Sequence, residues 1–447
     1  MHQDSLGNPL TLDDAASLLA VNDFVEGFIA SEARAANVLA AAQDESPIVQ
    51  AYCAALHLFA ESRDAVPNAL PYLRKAQAGA QRATARERRF IAALDAWAQG
   101  DLALAVALHQ EQAQEFPRDL ASLKLGQYHA FNLGDNPAML RMSLTALPAA
   151  ADVPYVHGMA AFGHEQCHRL REARACALHA IAMCRKEPWA HHALAHVMLT
   201  EGQLEEGLGF LQDVSDTWTG LNSFMYTHNW WHAALFLIDL GREDEALAVY
   251  DTHVWGVEKA YSQDQIGAVS LLARLELAGL QVGAQRWAEL ADWLAVRQQD
   301  HVLPFLDLQY LYGLGRAGRT EADVLLANIE HFAPRAPASQ RDTWVQVCVP
   351  AARGLLAHAR GDLRTAIDQL GLALPSLSRI GGSHAQRDLF EQIHLDALAR
   401  GGNPRELGAA QSLLQQRLNA QPMSRRLARQ ADAAYATLGL PASGGAT

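Results

Sequence analysis

Apolar residues recur at three- and four-residue spacing along almost the whole chain, which predicts amphipathic helices. The first clear case runs from Leu12 to about Ser62, with Thr11 as a candidate N-cap and acidic residues in the first turn. No stretch alternates with period two, so we predict no strands. Residues 1–85 are therefore expected to form an N-terminal helical cap that covers the apolar face of a repeat array.

A repeat follows, and its turns reveal the period. Four turn positions, each 34 residues after the last, are Gly100, Gly134, His168 and Gly202. Mostly small residues lie five positions after these turns and seven before them, at Ala105, Met139, Ala173 and Gly207 and at Ala93, Gln127, Ala161 and Ala195. A 34-residue period with small residues at two places is typical of tetratricopeptide helix pairs, which we predict over residues 86–215.

The later turns are more widely spaced. They fall at Gly241, Gly279, Gly318 and Gly361, followed by a last one at Gly401 or Gly402. We predict longer helix pairs over residues 216–440 and a disordered tail over residues 441–447. The expected fold is an all-α, tetratricopeptide-like α-α superhelix, or solenoid, of roughly nine helix pairs.

Charge and composition narrow the possible partners. The chain has 49 acidic and 36 basic residues and a formal net charge of −13, with no basic stripe, so we expect no nucleic-acid partner. Its five cysteines form no C-x-x-C pair, which favours reduced thiols. Without a signal-like N-terminus or an apolar run of about 20 residues, the protein is expected to be soluble and cytoplasmic, with no membrane contact.

Two histidine pairs are the most conspicuous candidates for chemistry. His192 and His196 are four residues apart, as are His228 and His232, so each pair shares one face of a predicted helix. Imidazole is a common metal ligand and the usual general base near neutral pH.

The segments around these pairs resemble the tetratricopeptide repeat protein thirty-eight family over most of the chain. The residues that carry the resemblance are HHALAHV, THNWWHAALFLIDLGREDEALAVYDTHV (227–254), RQQDHVLPFLD and GGSHAQRDLF (381–390). The resemblance implies a solenoid but no general activity. The family pattern has histidine where this chain has His192, His196, His228, His232, His253 and His301, an acidic residue where it has Asp251, Asp300, Asp307 and Asp388, and arginine at Arg387. Four further histidines lie outside the family pattern: His157, His164, His168 and His191.

The tetratricopeptide geometry also implies which residues face the groove. With the turn residue as position 15, the groove-facing positions of the first helix are 2, 5, 9, 12 and 13. His192 and His196 then occupy positions 5 and 9, while His228 occupies position 2 of the next repeat and His232 lies on its flank. Four imidazoles from two neighbouring helices are expected to converge on one side of the groove.

Three interpretations of these residues stay open. In the first, the histidines hold a divalent metal, with Asp251, Asp300 or Asp307 completing the ligands. The intervening residues are Ala-Leu-Ala and Asn-Trp-Trp, so the zinc-protease pattern H-E-x-x-H is absent. In the second, a histidine and an aspartate act as a general base without metal. In the third, the histidines and tryptophans only pack between helices.

Our preferred hypothesis is a pocket for a small polar or anionic molecule. The catalytic candidates are His192, His196, His228, His232, Asp251, His253, Asp300 and His301, and the ligand-binding candidates are Trp231, Asp307, Arg387 and Asp388. Arg387 would anchor a carboxylate or phosphate. If the protein is an enzyme, hydrolysis or proton transfer fits these groups better than redox chemistry. The rival hypothesis is a non-enzymatic scaffold that binds a peptide segment of a partner protein.

Overall fold

The fold is described for residues 2–401 and 403–439 in a computed structural model. It is all-α and built from tetratricopeptide-like helix pairs, which confirms the predicted fold class. Of the two alternatives for the last turn, Gly401 ends a helix and Gly402 lies outside the described residues. The predicted disordered tail, 441–447, also lies outside them.

The helices follow one another with short connections. The first twelve are α1 (Leu18–Ala30), α2 (Pro47–Leu58), α3 (Ala65–Ala78), α4 (Ala85–Ala98), α5 (Leu102–Glu115), α6 (Leu120–Asn132), α7 (Asn136–Ala146), α8 (Pro154–Gln166), α9 (Leu170–Met183), α10 (Pro188–Thr200), α11 (Leu204–Val214) and α12 (Ser223–Asp239). The remainder are α13 (Glu243–Val249), α14 (Ser262–Leu277), α15 (Ala284–Leu294), α16 (Pro304–Arg316), α17 (Glu321–Phe332), α18 (Arg341–Thr343), α19 (Val349–Ala359), α20 (Leu363–Ala373), α21 (His384–Gly401), α22 (Pro404–Ala420) and α23 (Arg425–Thr437). Two segments are π-helical, Tyr250–Val254 and Trp344–Cys348.

One strand pair in the described residues was not expected. Strand β1 (His2–Gln3) pairs antiparallel with β2 (Pro9–Leu10). Each strand has only two residues, which is too short to show an alternating pattern. The prediction that the chain has no strands is therefore wrong at this one place.

The predicted turns lie between the paired helices, and local chemistry explains why. Gly100 and Gly134 have positive φ angles of 77° and 72°, a conformation that ends a helix at little cost for glycine. The following residue caps the next helix: the Asp101 side chain accepts a hydrogen bond from the Leu104 backbone N–H. His168 takes the same left-handed conformation without being glycine, with a φ of 56°.

The chain forms two compact units. Unit 1 consists of Met1–Leu194, Asp216–Met225 and Pro337–Ser339. Unit 2 consists of Ala195–Ser215, Tyr226–Ala336 and Gln340–Thr447. This division follows spatial contacts, whereas the sequence-based division into 1–85, 86–215 and 216–440 follows the repeat period and remains a prediction.

Unit 1 is a run of helices in which each packs on the next, from α4 to α9. The N-terminal helix α1 packs on α2 and also reaches α6. Ring stacking of Phe24 on Tyr52, with centroids 4.0 Å apart, fixes α1 to α2. The N-terminal segment thus contacts a later helix pair as well as the first one.

In unit 2 four helices pack in a closed cycle. Helix α14 packs on α16, α16 on α19, α19 on α21, and α21 back on α14. The C-terminal helix is anchored to α12, because Ser424 and Arg426 both donate hydrogen bonds of 2.8 Å to the buried carboxylate of Asp239. The later helix pairs of this unit are therefore tied back to its earlier ones.

Gly207, the small residue five positions after the turn at Gly202, lets the ring of Phe236 pack closely against its helix. A β-carbon at Gly207 would overlap the ring of Phe236, whereas a β-carbon at Gly209 in the same helix would meet nothing within 4 Å. We expect Gly207→Ala to destabilise the protein by about 1 to 2 kcal/mol, because overpacking outweighs the gain in helix propensity. Gly209→Ala, the matched control, should stabilise it by up to about 1 kcal/mol. Urea unfolding followed by circular dichroism measures both, and equal signs would contradict the packing argument.

Buried histidines in unit 1 predict a loss of stability in acid. His109 is 1% exposed, and burial lowers its pKa to about 4, with a smaller opposing effect from Asp119. The neutral ring shares a hydrogen bond with Ser122, whose Oγ lies 2.7 Å from Nδ1 of His109. It also lies beside the ring of His129. Burial lowers the pKa of His129 as well. Since the unfolded chain takes up the proton below about pH 6.5 and the folded chain does not, this stability is complete above pH 6.5 and is lost as the pH falls towards 4.

For His109 alone, lowering the pH from 7 to 5 should cost roughly 2 kcal/mol of unfolding free energy. Urea unfolding at the two pH values tests this, with His109→Gln expected to show a smaller pH dependence than the wild type. The exposed His331 supplies the control variant, His331→Ala, which should keep the wild-type dependence. An unchanged slope in His109→Gln would show that this ring is protonated in the folded state.

Candidate functional site

Three predicted histidines of unit 2 and a fourth that was not predicted form a contiguous cluster. The ring centroids of His196 and His232 are 4.5 Å apart, and those of His228 and His232 are 4.8 Å apart. His384 lies 5.2 Å from His196 by ring centroids, with Nε2 3.5 Å from the Nδ1 of His196. His196 and His232 are fully buried, and His384 is exposed. We call these four residues the histidine cluster.

An adjacent tryptophan and arginine support the cluster. His228 stacks on Trp231 with an interplanar angle of 10°. Burial and, to a smaller extent, His196 together lower the pKa of His228 to about 3. The guanidinium of Arg274 lies 5.5 Å above the Trp231 ring. Arg274 also donates to the Ala385 carbonyl at 2.6 Å. The arginine therefore connects the tryptophan beside the cluster to the first turn of α21.

Asp388 completes this support. Its carboxylate pairs with Arg274 at 3.1 Å and with Arg417 at 2.7 Å. Burial alone would raise the pKa of Asp388, but the two guanidiniums hold it well below its usual range. The predicted ligand-binding residues Trp231 and Asp388 thus both serve the packing around α21.

The loop before α21 is stiffly held. Ser383 caps the helix in a reciprocal arrangement with Gln386, through contacts of 2.9 and 3.2 Å. Gly382 has a φ of 76°, and a β-carbon there would press on the ring of Phe305 at 2.9 Å. Arg387, predicted to anchor an anion, donates instead to the carbonyls of Gly381 and Gly382. Its observed contacts brace the loop that carries His384.

The remaining predicted acids and histidines of unit 2 lie in separate local pairs. His301 Nδ1 is 2.6 Å from Asp307 Oδ2, and although burial raises the pKa of Asp307, His301 partly offsets this. Asp300 pairs with Arg297 at 3.1 Å. The structure therefore joins the catalytic candidate His301 to Asp307, a ligand-binding candidate, and pairs the catalytic candidate Asp300 with an arginine.

Asp251 and His253 lie in the π-helical segment Tyr250–Val254. Asp251 is exposed and takes two hydrogen bonds from Arg286, at 2.8 and 2.7 Å. His253 stacks on Trp230 with centroids 4.0 Å apart and contacts the Tyr226 hydroxyl at 2.8 Å. Asp251 is thus held at the surface, and His253 is part of an aromatic stack.

His192 lies in unit 1 among aromatic rings. Its ring centroid is 5.0 Å from that of Phe162 and 5.1 Å from that of Trp189. These rings belong to a larger set contributed by successive helices, which we call the aromatic face: Phe28, Phe59, Trp97, Tyr128, Phe131, Phe162 and Trp189. All but Phe162 are partly exposed.

Lys124 lies between two rings of the aromatic face, Phe28 and Trp189. Its ammonium lies 5.4 Å from the centre of the Phe28 ring and 5.2 Å from that of Trp189. It donates to the Phe28 and Ile29 carbonyls at 2.7 and 3.1 Å, at the C-terminal end of α1. Burial lowers the pKa of Lys124 to about 7, and the buried carboxyl of Glu187 opposes that shift. The carbonyls at a helix C-terminus favour the charged ammonium.

The aromatic face and His384 were missed from the sequence, although signals existed for both. Counted from the turn residues, Tyr128 and Phe162 occupy groove position 9, the position of His196, and Trp97 and Phe131 occupy position 12. Applying the tetratricopeptide positions to the earlier repeats would therefore have predicted these rings as groove-facing. His384 lies inside the GGSHAQRD motif. Its neighbours drew attention, while the histidine itself occupies the variable position of that motif.

Comparisons with known proteins add little beyond the fold. No family model matches the chain. A solved structure described as Naa15/Naa10 bound to HypK-THB is similar at 13% identity, covering 95% of this chain and 68% of that one, with a TM-score of 0.26. The human IFIT1 dimer with m7Gppp-AAAA is similar at 11% identity, covering 98% of each chain, with a TM-score of 0.35. The family resemblance and the exclusion of nucleic acid therefore remain predictions.

Among the described residues, none of the helices combines the length and apolar character needed to cross a bilayer.

Proposed function

We propose that the chain is a non-enzymatic binding protein whose aromatic face, in unit 1, holds a short segment of a partner protein. The observation that carries the proposal is the row of partly exposed rings supplied by successive helix pairs, from Phe59 after α2 to Trp189 in α10. Aromatic rings offer a large contact area with few rotatable bonds, so they dominate the binding energy of many interfaces.

The residues around the aromatic face indicate how long the bound partner segment can be and which side chains it should carry. Helix α1 packs against α6, and Lys124 binds the end of α1, so a long extended peptide would meet the chain's own N-terminal segment. Tyr128 donates to the buried carboxylate of Glu61 at 2.6 Å, which occupies its hydroxyl. The face therefore suits a short apolar segment, and the net charge of −13 favours basic flanking residues.

The acid and base groups of unit 2 support a binding role more than a catalytic one. Asp251, Asp300 and Asp388 each pair with arginine, in pairs of 2.7 to 3.1 Å. Arg387 donates to backbone carbonyls of its own loop. Groups committed to such contacts stabilise the fold, and they would have to be released before they could act on a substrate.

A small polar or anionic ligand at the histidine cluster is the second candidate. One observation favours it: Asn229, next to His228 in α12, is fully buried, and its amide has no hydrogen-bond partner within residues 2–401 and 403–439. A buried unpaired polar group costs about 1 to 3 kcal/mol, and a bound polar molecule would offset this cost.

Two finer points belong to the same proposal. From the sequence motifs we propose that the chain belongs to the tetratricopeptide repeat protein thirty-eight family and acts in the cytoplasm. The segmentation at residues 85 and 215 is likewise proposed from the repeat period.

Selection of peptides from a display library against the full chain tests the main proposal. Peptides selected on the wild type should bind Trp97→Ala about 30-fold more weakly, because an aromatic anchor contributes about 2 kcal/mol. The control is Trp293→Ala, which removes an exposed tryptophan of unit 2 and should leave the affinity unchanged. Equal binding by Trp97→Ala would overturn the proposal. A small molecule retained in native mass spectrometry, with no peptide selected, would favour the second candidate.

A further inference from the structure

We propose that Lys124 is a nucleophilic amine that captures neutral aromatic aldehydes by forming an imine at the aromatic face of unit 1. Lys124 lies in α6, and its Nζ lies between the rings of Phe28 in α1 and Trp189 in α10. The inference does not depend on the partner-binding proposal, because it needs only the surroundings of this one side chain.

Lysine is rare in this chain, and Lys124 differs from the other three. Only four of the 36 basic residues are lysines. Lys75, Lys186 and Lys259 each form an ion pair with a glutamate. Among the described residues, no carboxylate lies within ion-pair distance of the Lys124 Nζ, whose contacts are with neutral oxygens. Lys124 thus lacks the close counter-ion that would hold its amine in the charged form.

The hydrogen bonds of the Lys124 Nζ fit a neutral amine. Nζ lies 2.7 Å from the Phe28 carbonyl oxygen, 3.1 Å from that of Ile29 and 2.7 Å from the Oγ of Ser31. The Ser31 hydroxyl already accepts from the Trp189 ring N–H at 3.0 Å, and its own proton has no other acceptor in the part of the chain that the structure describes. A neutral amine therefore donates its two hydrogens to the carbonyls and accepts from Ser31 with its lone pair.

Burial favours that neutral form. It lowers the pKa of Lys124 to about 7, and the carboxyl of Glu187 opposes the shift. Glu187 is itself fully buried, and burial raises its pKa to about 8, although the backbone N–H of Ala190 and the charge of Lys124 act against this. Glu187 therefore holds its proton for most of the time at neutral pH. A large fraction of Lys124 is then free amine at pH 7.4, whereas a solvated lysine has only about one free amine in a thousand.

The rings beside the amine indicate the class of aldehyde. Nζ lies 5.4 Å from the centre of the Phe28 ring and 5.2 Å from that of the Trp189 ring, and both side chains are partly exposed. Flat aromatic molecules stack on such rings. The net charge of −13 disfavours an aldehyde that carries a phosphate or carboxylate. A neutral aryl aldehyde therefore fits better than an aliphatic or anionic one.

The reaction needs no reactant beyond the aldehyde. The lone pair of the Lys124 Nζ attacks the carbonyl carbon, so a C–N bond forms and the carbonyl oxygen takes up a proton. The oxygen then leaves as water with the two amine hydrogens, which gives the C=N double bond, and nothing is oxidised or reduced. The imine nitrogen still accepts from Ser31, while the Phe28 and Ile29 carbonyls lose their donor. Because Lys124 is partly exposed, water can replace that donor.

Trapping with 2-naphthaldehyde and cyanoborohydride tests the proposal on the full-length protein at pH 7.4. Cyanoborohydride reduces the imine to a stable secondary amine, and peptide mapping by mass spectrometry separates the four lysines from one another and from the α-amino group. Lys124 should be labelled at least about 10-fold faster than Lys75, because far more of it is free amine. With propanal, which cannot stack, this preference should be at least about threefold smaller.

Two lysine variants provide the controls. Lys124→Arg keeps the donors but cannot form an imine, so the fast label should disappear while the rate at Lys259 stays unchanged. Lys75→Arg should keep the fast label at Lys124. Circular dichroism checks both folds, and the mapping of the wild type decides the question even if a variant does not fold.

Two results would contradict the proposal. Labelling of Lys124 no faster than that of Lys75 would overturn it, and an equal preference with both aldehydes would overturn the aromatic class. A chain that reacts in this way but selects no peptides would contradict only the partner-binding proposal.

Discussion

Asp119→Ala is expected to lower the free energy of unfolding by about 4 to 5 kcal/mol. Asp119 pairs with Arg86 at 3.0 Å, and both side chains are buried, with 3% and 2% exposure. Removing the carboxylate leaves a guanidinium in the interior without its counter-charge, which typically costs about 3 to 5 kcal/mol. The same carboxylate caps α6 by accepting from the Ser122 N–H, and a lost cap adds about 1 kcal/mol.

The chain offers a control that separates the two roles of Asp119. Asp101 caps α5 in the same way, by accepting from Leu104, but it is exposed. Asp101→Ala should cost only about 1 kcal/mol, the value of a cap. Urea unfolding of the two variants gives the comparison. Similar losses in both would mean that the Arg86 pair contributes nothing beyond the cap.

Arg274→Met is the second large effect, with an expected loss of about 3 kcal/mol. Methionine keeps the apolar contact with Trp231 but removes the bonds to Asp388 and to the Ala385 carbonyl. Breaking a buried ion pair typically costs about 3 to 5 kcal/mol, and we expect the lower value here because Arg417 still neutralises Asp388.

A surface arginine provides the comparison for this variant. Arg360 makes a bidentate ion pair with Asp323, with two hydrogen bonds of 2.8 Å, but the two side chains are 46% and 60% exposed. Arg360→Met should therefore cost no more than about 1 kcal/mol. Thermal unfolding of both variants measures the difference. A loss in Arg274→Met as small as that in Arg360→Met would show that the buried contacts of Arg274 contribute no more than a surface ion pair.

Much of the histidine cluster could be predicted from spacing within single helices. The i, i+4 pairing of His228 and His232 on α12 is visible in the sequence because helix geometry is local. That His384, some 150 residues later, would lie against His196 is not visible, because the contact depends on how α21 packs. The proximity of His301 to Asp307 was within reach, since both residues lie at the start of one helix pair.

The contacts of Arg387 show what residue type alone leaves open. A guanidinium pairs well with a carboxylate or phosphate, so this arginine was predicted to anchor an anion. Its guanidinium instead donates to the carbonyls of Gly381 and Gly382, because two positive-φ glycines turn these carbonyls back toward the helix that follows. The sequence shows that an arginine needs acceptors, but only the fold shows which acceptors lie within reach.

The sequence by itself determined the helices, their turns and their pairing. Each of these depends on neighbours within a few residues: apolar spacing, a glycine with positive φ, and an aspartate cap such as Asp101. The tertiary structure alone decided which charges pair, as between Arg274 and Asp388, and which rings meet, as between His196 and His384. Such contacts join residues more than a hundred positions apart, so they depend on the summed geometry of many helix packings, which no local pattern records.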